Sequence, residues 1–432
     1  MIPEIEGASL RDIKKFQEQK LVELLSYVKE NSKYYQRVFQ KHNIDISEIK
    51  TLESLEKIPV TTKEDLQLYN DDFICVEDHQ IIDVVTTSGT LGEPITFVLS
   101  DKDLDRLAYN EYLSFACAGI TKDDRIQLTT TLDKRFMAGL AYFLGARKLG
   151  ASIIRVGVGS PELQWDSILK LKPTCLVAVP SFLIKLIAFA KANNIALDTT
   201  SVKKVICIGE PIKESDFSPN ILAKKIQEDW NVELYSTYAS TEKSTAFTEC
   251  EEQKGGHHHP ELIIVEVLDE HDKAVKEGGK GELTITTLGV EAMPLLKYKT
   301  GDIVELHQDL CKCGRNTLRV GPVLGRKKQM IKLKGTTIFP QAIKSVLNEV
   351  DEVNNYVIKI SKDDFLNDKV TIKVEADTDQ EILRKTLQQK CKTKIRVTPF
   401  IEFVSKREIH ALMFPKLGRK PIDVIDERNC IT

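Results

Sequence analysis

Between Arg125 and Ile208 short β-rich runs alternate with longer helical ones, and that alternation constrains the fold more than any other feature of the chain. The runs Arg125 to Thr129, Ala151 to Val156, Cys175 to Val179 and Lys204 to Ile208 are separated by helical stretches that include Met137 to Lys148 and Pro180 to Ala192. Strand, helix, strand in succession implies a mainly parallel sheet covered by helices. In such sheets ligands sit beyond the carboxyl ends of the strands.

The flanks have a different texture. From Leu10 to His42 apolar residues recur near helical spacing (Ile13, Phe16, Leu21, Leu24, Leu25, Val28, Tyr34, Tyr35), which predicts an amphipathic helix. Thr62 is placed to cap a short helix with an acidic first turn. From Leu262 the pattern turns β-dominated, with Leu262 to Leu268 and Gly281 to Thr287 around the glycine-rich turn Gly278-Gly279, and predicts a small antiparallel barrel or sheet. After about Gly325 come strand-like runs at Tyr356 to Ile360, Val370 to Val374 and Thr398 to Val404 with a helix around Gln380 to Lys392, the pattern of a small α+β domain. The expected division is 1–325, with a β-rich subdomain at about 260–325, and 326–432.

Size and charge narrow the function classes. The 432 residues carry 61 basic and 64 acidic side chains, a net charge of −3, which supplies no sequence-independent grip on nucleic acid or on an anionic membrane. The start, Met1 to Glu6, lacks the pattern of a secretory signal, and no apolar run is long enough to cross a bilayer, so a cytoplasmic protein is expected. Nine cysteines, an odd number scattered through a long chain, read as reduced thiols.

Three clusters carry chemistry. Thr86-Thr87-Ser88-Gly89-Thr90-Leu91-Gly92-Glu93-Pro94 follows the apolar run Ile81 to Val85 and offers hydroxyls and bare amides to one point, as a polyphosphate requires. It is not a P-loop, since no lysine ends it. Tyr235-Ser236-Thr237-Tyr238-Ala239-Ser240-Thr241-Glu242 puts a ring, hydroxyls and a carboxylate on one turn, suited to base stacking, a phosphate contact and Mg²⁺. Tyr298-Lys299-Thr300-Gly301-Asp302 presents a carboxylate able to accept both hydroxyls of a ribose. Each cluster alone is also what an ordinary polar turn looks like.

In this order and spacing the three clusters resemble the adenylate-forming superfamily, most of all its phenylacetate–CoA ligase branch. The resemblance covers nearly the whole chain and extends to Ile58 to Asp65, Gly209-Glu210-Pro211, Gly281 to Thr287, Glu291 to Leu295, and Gly325-Arg326 with Gly335 to Pro340. It implies the α/β adenylate-forming fold, with a large N-terminal domain of parallel sheets and β-subdomain and a small mobile α+β C-terminal domain. It also implies a two-step ligase: ATP and a carboxylic acid give an acyl-adenylate, and coenzyme A then displaces AMP. The acid expected is phenylacetate or a related aryl acid. Carrier-protein loading, another acceptor, or a non-catalytic nucleotide-binding relative are the alternatives, and a homodimer is expected by analogy with relatives.

Carried over by position, the resemblance places pyrophosphate on Thr87, Ser88, Gly89, Thr90 and Gly92, and adenine against Tyr238, Ala239 and Ser240 with Gly209, Glu210 and Pro211. Thr241 would meet the α-phosphate, Glu242 would hold Mg²⁺, and Asp302 with Arg326 would bind the ribose. Lys420 would bridge carboxylate and α-phosphate, with Lys416 a second candidate. Lys328 would be the hinge, Lys334 and Gly335 would line the coenzyme A tunnel, and Phe136 and Tyr142 would wall the acid pocket. Glu93 and Arg419 depart from the residues usual there, adding a like charge beside the phosphates and displacing a glycine.

One further constellation is metal-like. Cys250, His257 and Cys311-Lys312-Cys313 supply four soft or borderline ligands, enough for a closed tetrahedral Zn²⁺ site of structural type, with His258 and His259 as alternative ligands.

Overall fold

The computed structural model describes residues 2–87, 94–275, 278–333, 336–363, 368–414 and 421–428. They fall into two compact units, the first from 2 to 322 without residues 301–303, the second comprising 301–303 and the chain from 323 onward.

After a short helix Glu4–Gly7, the first unit has two helices where the periodicity predicts one. Leu10–Asn31 ends at Ser32, whose hydroxyl accepts the Tyr35 amide and starts Lys33–Lys41 afresh. A serine that can satisfy the first free amides of a new helix competes with continuation, and apolar spacing alone does not register that competition. Thr62 does cap Lys63–Leu68, in a capping box with Asp65. Strands β1 (Asp83–Thr86) and β2 (Thr96–Leu99) form an antiparallel pair on either side of the hydroxyl-rich loop. The helix Asp101–Cys117 follows, started by a second capping box, Ser100 with Asp103.

The centre is a parallel sheet. Strands β3 (Arg125–Leu128), β4 (Ser152–Arg155), β5 (Cys175–Ala178), β6 (Lys204–Cys207) and the first half of β7 (Glu233–Ser240) lie in the order β4-β3-β5-β6-β7. Side chains alternate across it with period two. Leu176, Ala178, Val205 and Cys207 face a core with Trp165, Leu183, Ile226 and Trp230. Cys175, Val177 and Ile206 face another with Phe115, Ile126, Tyr142 and Tyr235. Residues that are apolar on both faces demand helices on both faces, and the helices Met137–Leu149 and Pro180–Ala192 are among those that supply them.

Beyond Ser236, β7 turns antiparallel to β8 (Thr245–Glu249). The path continues through β9 (Gly256–His257) and β13 (Arg319–Val320) to β12 (Tyr298–His307), then β11 (Lys280–Thr287) and β10 (Ile263–Leu268). The β-dominated stretch thus continues the same sheet.

In the second unit Asp302 and Ile303 pair with β14 (Gly325–Arg326). A hairpin of β15 (Ile331–Leu333) and β16 (Thr336–Ile338) precedes a four-stranded sheet ordered β19 (Phe400–Phe403), β18 (Asp368–Glu375), β17 (Asn355–Lys362) and β20 (Val424–Asp426). Ile358, Ile360, Val370, Ile372 and Val374 pack against Ile343 and Leu347 of Pro340–Asn348 and Leu383 and Leu387 of Gln380–Ile395.

Candidate functional site

The carboxyl ends of the parallel strands gather several of the expected residues. Strand β6 runs out into Ile208-Gly209-Glu210-Pro211, where Gly209 takes φ +76°, a conformation glycine adopts without cost. The Glu210 carboxylate accepts both the amide and the hydroxyl of Ser181, at 2.8 Å each, and so caps the neighbouring helix Pro180–Ala192. From β3 the chain enters a loop in which Lys134 (φ +60°) and Arg135 (φ +58°) are successive non-glycine residues in the left-handed region. The Arg135 carbonyl accepts the Thr86 amide at 3.0 Å, which brings the end of β1 beside that loop. Thr87 is buried, and its hydroxyl oxygen accepts the Ile95 amide at 2.9 Å. The hydroxyl keeps its hydrogen as a donor to a ligand. Ser88, Gly89, Thr90, Gly92 and Glu93 lie outside the described residues.

The hairpin β7–β8 carries the second cluster. Tyr238 is opposite Phe247, Ala239 opposite Ala246 and Ser240 opposite Thr245, so Thr241 and Glu242 sit on the connecting turn. The turn closes through the Ser244 amide to the Thr241 carbonyl (3.2 Å) and the Lys243 amide to the Ser240 hydroxyl (3.4 Å), with Ser244 at φ +47°. Arg106, a residue absent from the sequence reading, clamps this turn from the helix Asp101–Cys117. Its buried guanidinium donates to the carbonyls of Ser244 (2.6 Å), Leu262 (2.6 Å) and Leu288 (2.7 Å) and to the Thr245 hydroxyl (3.2 Å). Burial pulls its pKa down to about 10, still charged at neutral pH. A charge-rich helix N-terminus reads in sequence as a solvated face, which hides such a residue.

Of the expected acid-pocket residues, Phe136 is half-buried at the start of Met137–Leu149. Tyr142 is placed inside the core, its ring 6.2 Å from that of Phe115, and burial raises its hydroxyl pKa.

In the second unit Asp302 and Arg326 are register partners and form an ion pair at 3.2 Å. Lys328 is exposed, and its carbonyl accepts Arg428, which also donates to the Met330 carbonyl and pairs with Asp368 and Asp426. That arginine ties the expected hinge segment to the four-stranded sheet, a role the sequence did not signal. Lys334, Gly335, Lys416, Arg419 and Lys420 lie outside the described residues.

The metal-like constellation comes together in the first unit. Cys250 follows β8, His257 is in β9, and Cys311 and Cys313 occupy the turn between β12 and β13, which Gly314 closes at φ +91°. Their ligand atoms lie within 4.8 Å of one another, with Cys250 and Cys311 sulfurs 3.6 Å apart and Cys313 Sγ 3.4 Å from His257 Nε2. Four ligands about 2.3 Å from a central ion would stand about 3.8 Å apart on a tetrahedron, so the spacing fits a zinc-sized cation. Burial pulls His257 down to about 3, so its imidazole is neutral, and Thr317 at 3.0 Å from Nδ1 leaves Nε2 for the thiols' side. Cys250 is pushed up by burial and by its thiol neighbours; against burial, Arg315 and the other thiols draw Cys313 down. The two alternative histidines point elsewhere, His258 Nε2 to the Ile263 carbonyl and His259 Nδ1 to Glu6.

A doubly covered parallel sheet, the turn of Thr241 and Glu242 beyond its last strand and a separate small α+β unit are the architecture of an adenylate-forming enzyme. The chain belongs to the AMP-binding enzyme family, whose pattern matches residues 16–292, and the AMP-binding enzyme C-terminal domain matches residues 335–428. It is 29% identical over 421 residues to the phenylacetate-coenzyme A ligase of Thermus thermophilus, spanning 92% of this chain and 93% of that one. It is 26% identical over 444 residues to that of Aromatoleum evansii, spanning 98% and 96%. In structure it is similar to 2-hydroxyisobutyryl-CoA ligase in the postadenylation state bound to 2-HIB-AMP, with TM-score 0.84, 23% identity and coverage of 99% and 92%, a likeness of fold. No helix among the described residues is long and apolar enough to cross a membrane.

Proposed function

We propose that this protein is an ATP-dependent acid–CoA ligase of the AMP-forming type. A carboxylate oxygen attacks the α-phosphorus of ATP, the Pα–O–Pβ bond breaks and pyrophosphate leaves. The thiol sulfur of coenzyme A then attacks the acyl carbon, the acyl C–O bond breaks, AMP leaves and the thiol proton goes to solvent. Two anions repel until fixed cations and dipoles hold the attacking oxygen in line, so the protein's work is positioning and charge neutralisation.

The observation that carries the reading is the match, over nine-tenths or more of both chains, to two phenylacetate-coenzyme A ligases. In this reading Thr87 with Ser88, Gly89, Thr90 and Gly92 holds the pyrophosphate end, Tyr238 to Ser240 and Gly209 to Pro211 hold adenine, and Asp302 with Arg326 holds ribose. Thr241 meets the α-phosphate, Glu242 holds Mg²⁺ that offsets phosphate charge, and Lys420 bridges the reacting anions. Residues 326–432 act as a mobile cap hinged at Lys328, with Lys334 and Gly335 lining the coenzyme A path. Cys250, His257, Cys311 and Cys313 hold a structural Zn²⁺ that leaves no ligand position open for catalysis.

Phenylacetate or a related aryl acid is the substrate the relatives' names suggest. A short aliphatic acid is the second reading, favoured by Tyr142, whose ring is buried in the core beside Phe115. Reduced cysteines and the absence of an apolar spanning helix among the described residues support a cytoplasmic enzyme. The test is AMP release from a panel of aromatic and aliphatic acids with coenzyme A present. Acid-dependent pyrophosphate exchange without thioester would replace coenzyme A by another acceptor, and no acid-dependent exchange would end the reading.

A further inference from the structure

Arg315 stands two residues beyond Cys313 and is buried, with its guanidinium shared between a thiol and a carboxylate. Nη1 donates to Cys313 Sγ at 3.7 Å, and Nε donates to Glu6 at 2.8 Å. The second Glu6 oxygen meets Nδ1 of His259, which stands two residues beyond His257. Both partners of this wholly buried carboxylate are thus set by segments that carry the thiol–imidazole cluster. Asn316 adds a grip on backbone: its amide donates to the Glu6 carbonyl at 2.7 Å, and its Nδ2 to the carbonyls of Gly7 (2.9 Å) and Ala8 (3.1 Å). The helix Glu4–Gly7 is a single turn, too short to hold itself, so it stands only where these partners stand.

Three thiolates and a neutral imidazole around a divalent ion leave one negative charge in a half-buried place, and such a charge calls for a fixed cation. Arg319 is the register partner of His257, but its guanidinium is turned to Asp309 and the Lys254 carbonyl. We propose that Arg315 is the counter-cation of the metal centre and that, by sharing its guanidinium with Glu6, it makes docking of residues 2–8 depend on the bound ion. This rests on the reading of Cys250, His257, Cys311 and Cys313 as metal ligands. Joining Cys311 and Cys313 to Cys250 and His257 fixes the turn between β12 and β13, and with it the place of Arg315 and Asn316. The coupling is reciprocal: a docked segment holds Arg315 against Cys313, and so tightens metal binding by the factor by which the metal tightens the segment.

The test uses the full chain as wild type, Arg315→Met and Arg315→Lys, with Zn²⁺ and Co²⁺ as probes. In competition with a chromophoric chelator, Arg315→Met is expected to bind Zn²⁺ about tenfold more weakly, and Arg315→Lys, which keeps a charge beside the thiolate, to recover most of that loss. With Co²⁺, loss of the donor to Cys313 raises the sulfur lone pairs in energy, so the thiolate-to-cobalt absorption moves to longer wavelength in Arg315→Met. In wild type, hydrogen exchange of the Glu6 and Ala8 amides, bonded to the Pro3 and Ile5 carbonyls, should quicken about tenfold on chelation and return with Zn²⁺, while the helix Pro180–Ala192 keeps its protection. Unchanged Zn²⁺ affinity or band position in Arg315→Met, no recovery in Arg315→Lys, exchange at Glu6 and Ala8 that ignores the metal, or a rise shared by Pro180–Ala192 would each overturn the proposal. Should Arg315→Met fail to fold, the wild-type exchange with metal removed and restored still decides it. Wild type without tetrahedral Co²⁺ absorption would remove the metal reading and Arg315 with it; a normal wild-type spectrum beside any of the overturning results would remove the Arg315 assignment alone.

Discussion

Arg106 donates to the carbonyl oxygen of Ser244 at 2.6 Å, and through that bond the helix Asp101–Cys117 fastens the turn that bears Thr241 and Glu242. Replacing Arg106 by Met leaves the Leu262, Leu288 and Ser244 carbonyls without this donor. The expected loss is on the order of 3 kcal/mol, read as a shift of the urea midpoint with the slope unchanged. Mg-ATP affinity should fall with it, because the turn is no longer held.

The four-ligand cluster predicts about one zinc per chain in protein purified without chelator, measured by emission spectrometry. Cys313→Ser should lose most of the metal and several kcal/mol of stability. Metal-stripped protein that melts at the unstripped temperature would deny the site a structural role.

Glu111 gives a pH signature. Burial raises its pKa to about 8, one oxygen accepts from Asn110, and the other has no partner among the described residues. The folded value lies above the unfolded one near 4.5, so its contribution is fully present below pH 4.5 and is lost as pH rises toward 8. Glu111→Gln should therefore stabilise the protein at pH 8 by on the order of 2 kcal/mol, with the gain vanishing near pH 5. A gain independent of pH in chemical denaturation would show that the carboxyl is not held neutral.

Glu6 has the opposite sign. Burial opposes its ionisation, but His259 and Arg315, the latter donating at 2.8 Å, overcome burial and hold the carboxyl below its ordinary range. Its stabilisation is present above pH 4.5 and is lost as pH falls through the folded value. Glu6→Gln should cost about 3 kcal/mol at neutral pH, less in acid, and should expose the first residues to limited proteolysis.

Lys420→Ala is expected to suppress adenylation, read by pyrophosphate exchange, at least a hundredfold while leaving thioester formation from supplied acyl-adenylate within about threefold. Equal loss in both half-reactions would contradict the bridging role.

The parallel centre was legible because both-face burial leaves continuous apolar runs such as Cys175–Ala178, and the Thr62 box because capping is local chemistry. The break at Ser32 escaped, since the apolar period continues across it. At the site, the resemblance names Gly209-Glu210-Pro211, which follows β6, and prefers His257 over His258 and His259 by the family's register, and His257 lies with the three cysteines. Arg106 and Arg428 could not be placed from sequence, because each is a charge held by partners distant in sequence, 182 residues away for Arg106 and Leu288 and 100 for Arg428 and Lys328. Charge next to charge along a chain looks like surface until the fold turns it inward.

Strand β8 is five residues long and joins the Ser244 end of the turn to Cys250. Loosening the thiol knot would let the far end of this strut slip in register, and the slip would be felt at Thr241 and Glu242. Specific activity would then follow the metal content of each preparation, so that batches exposed to chelator would look like mixtures of working and idle enzyme although every molecule carried the same sequence.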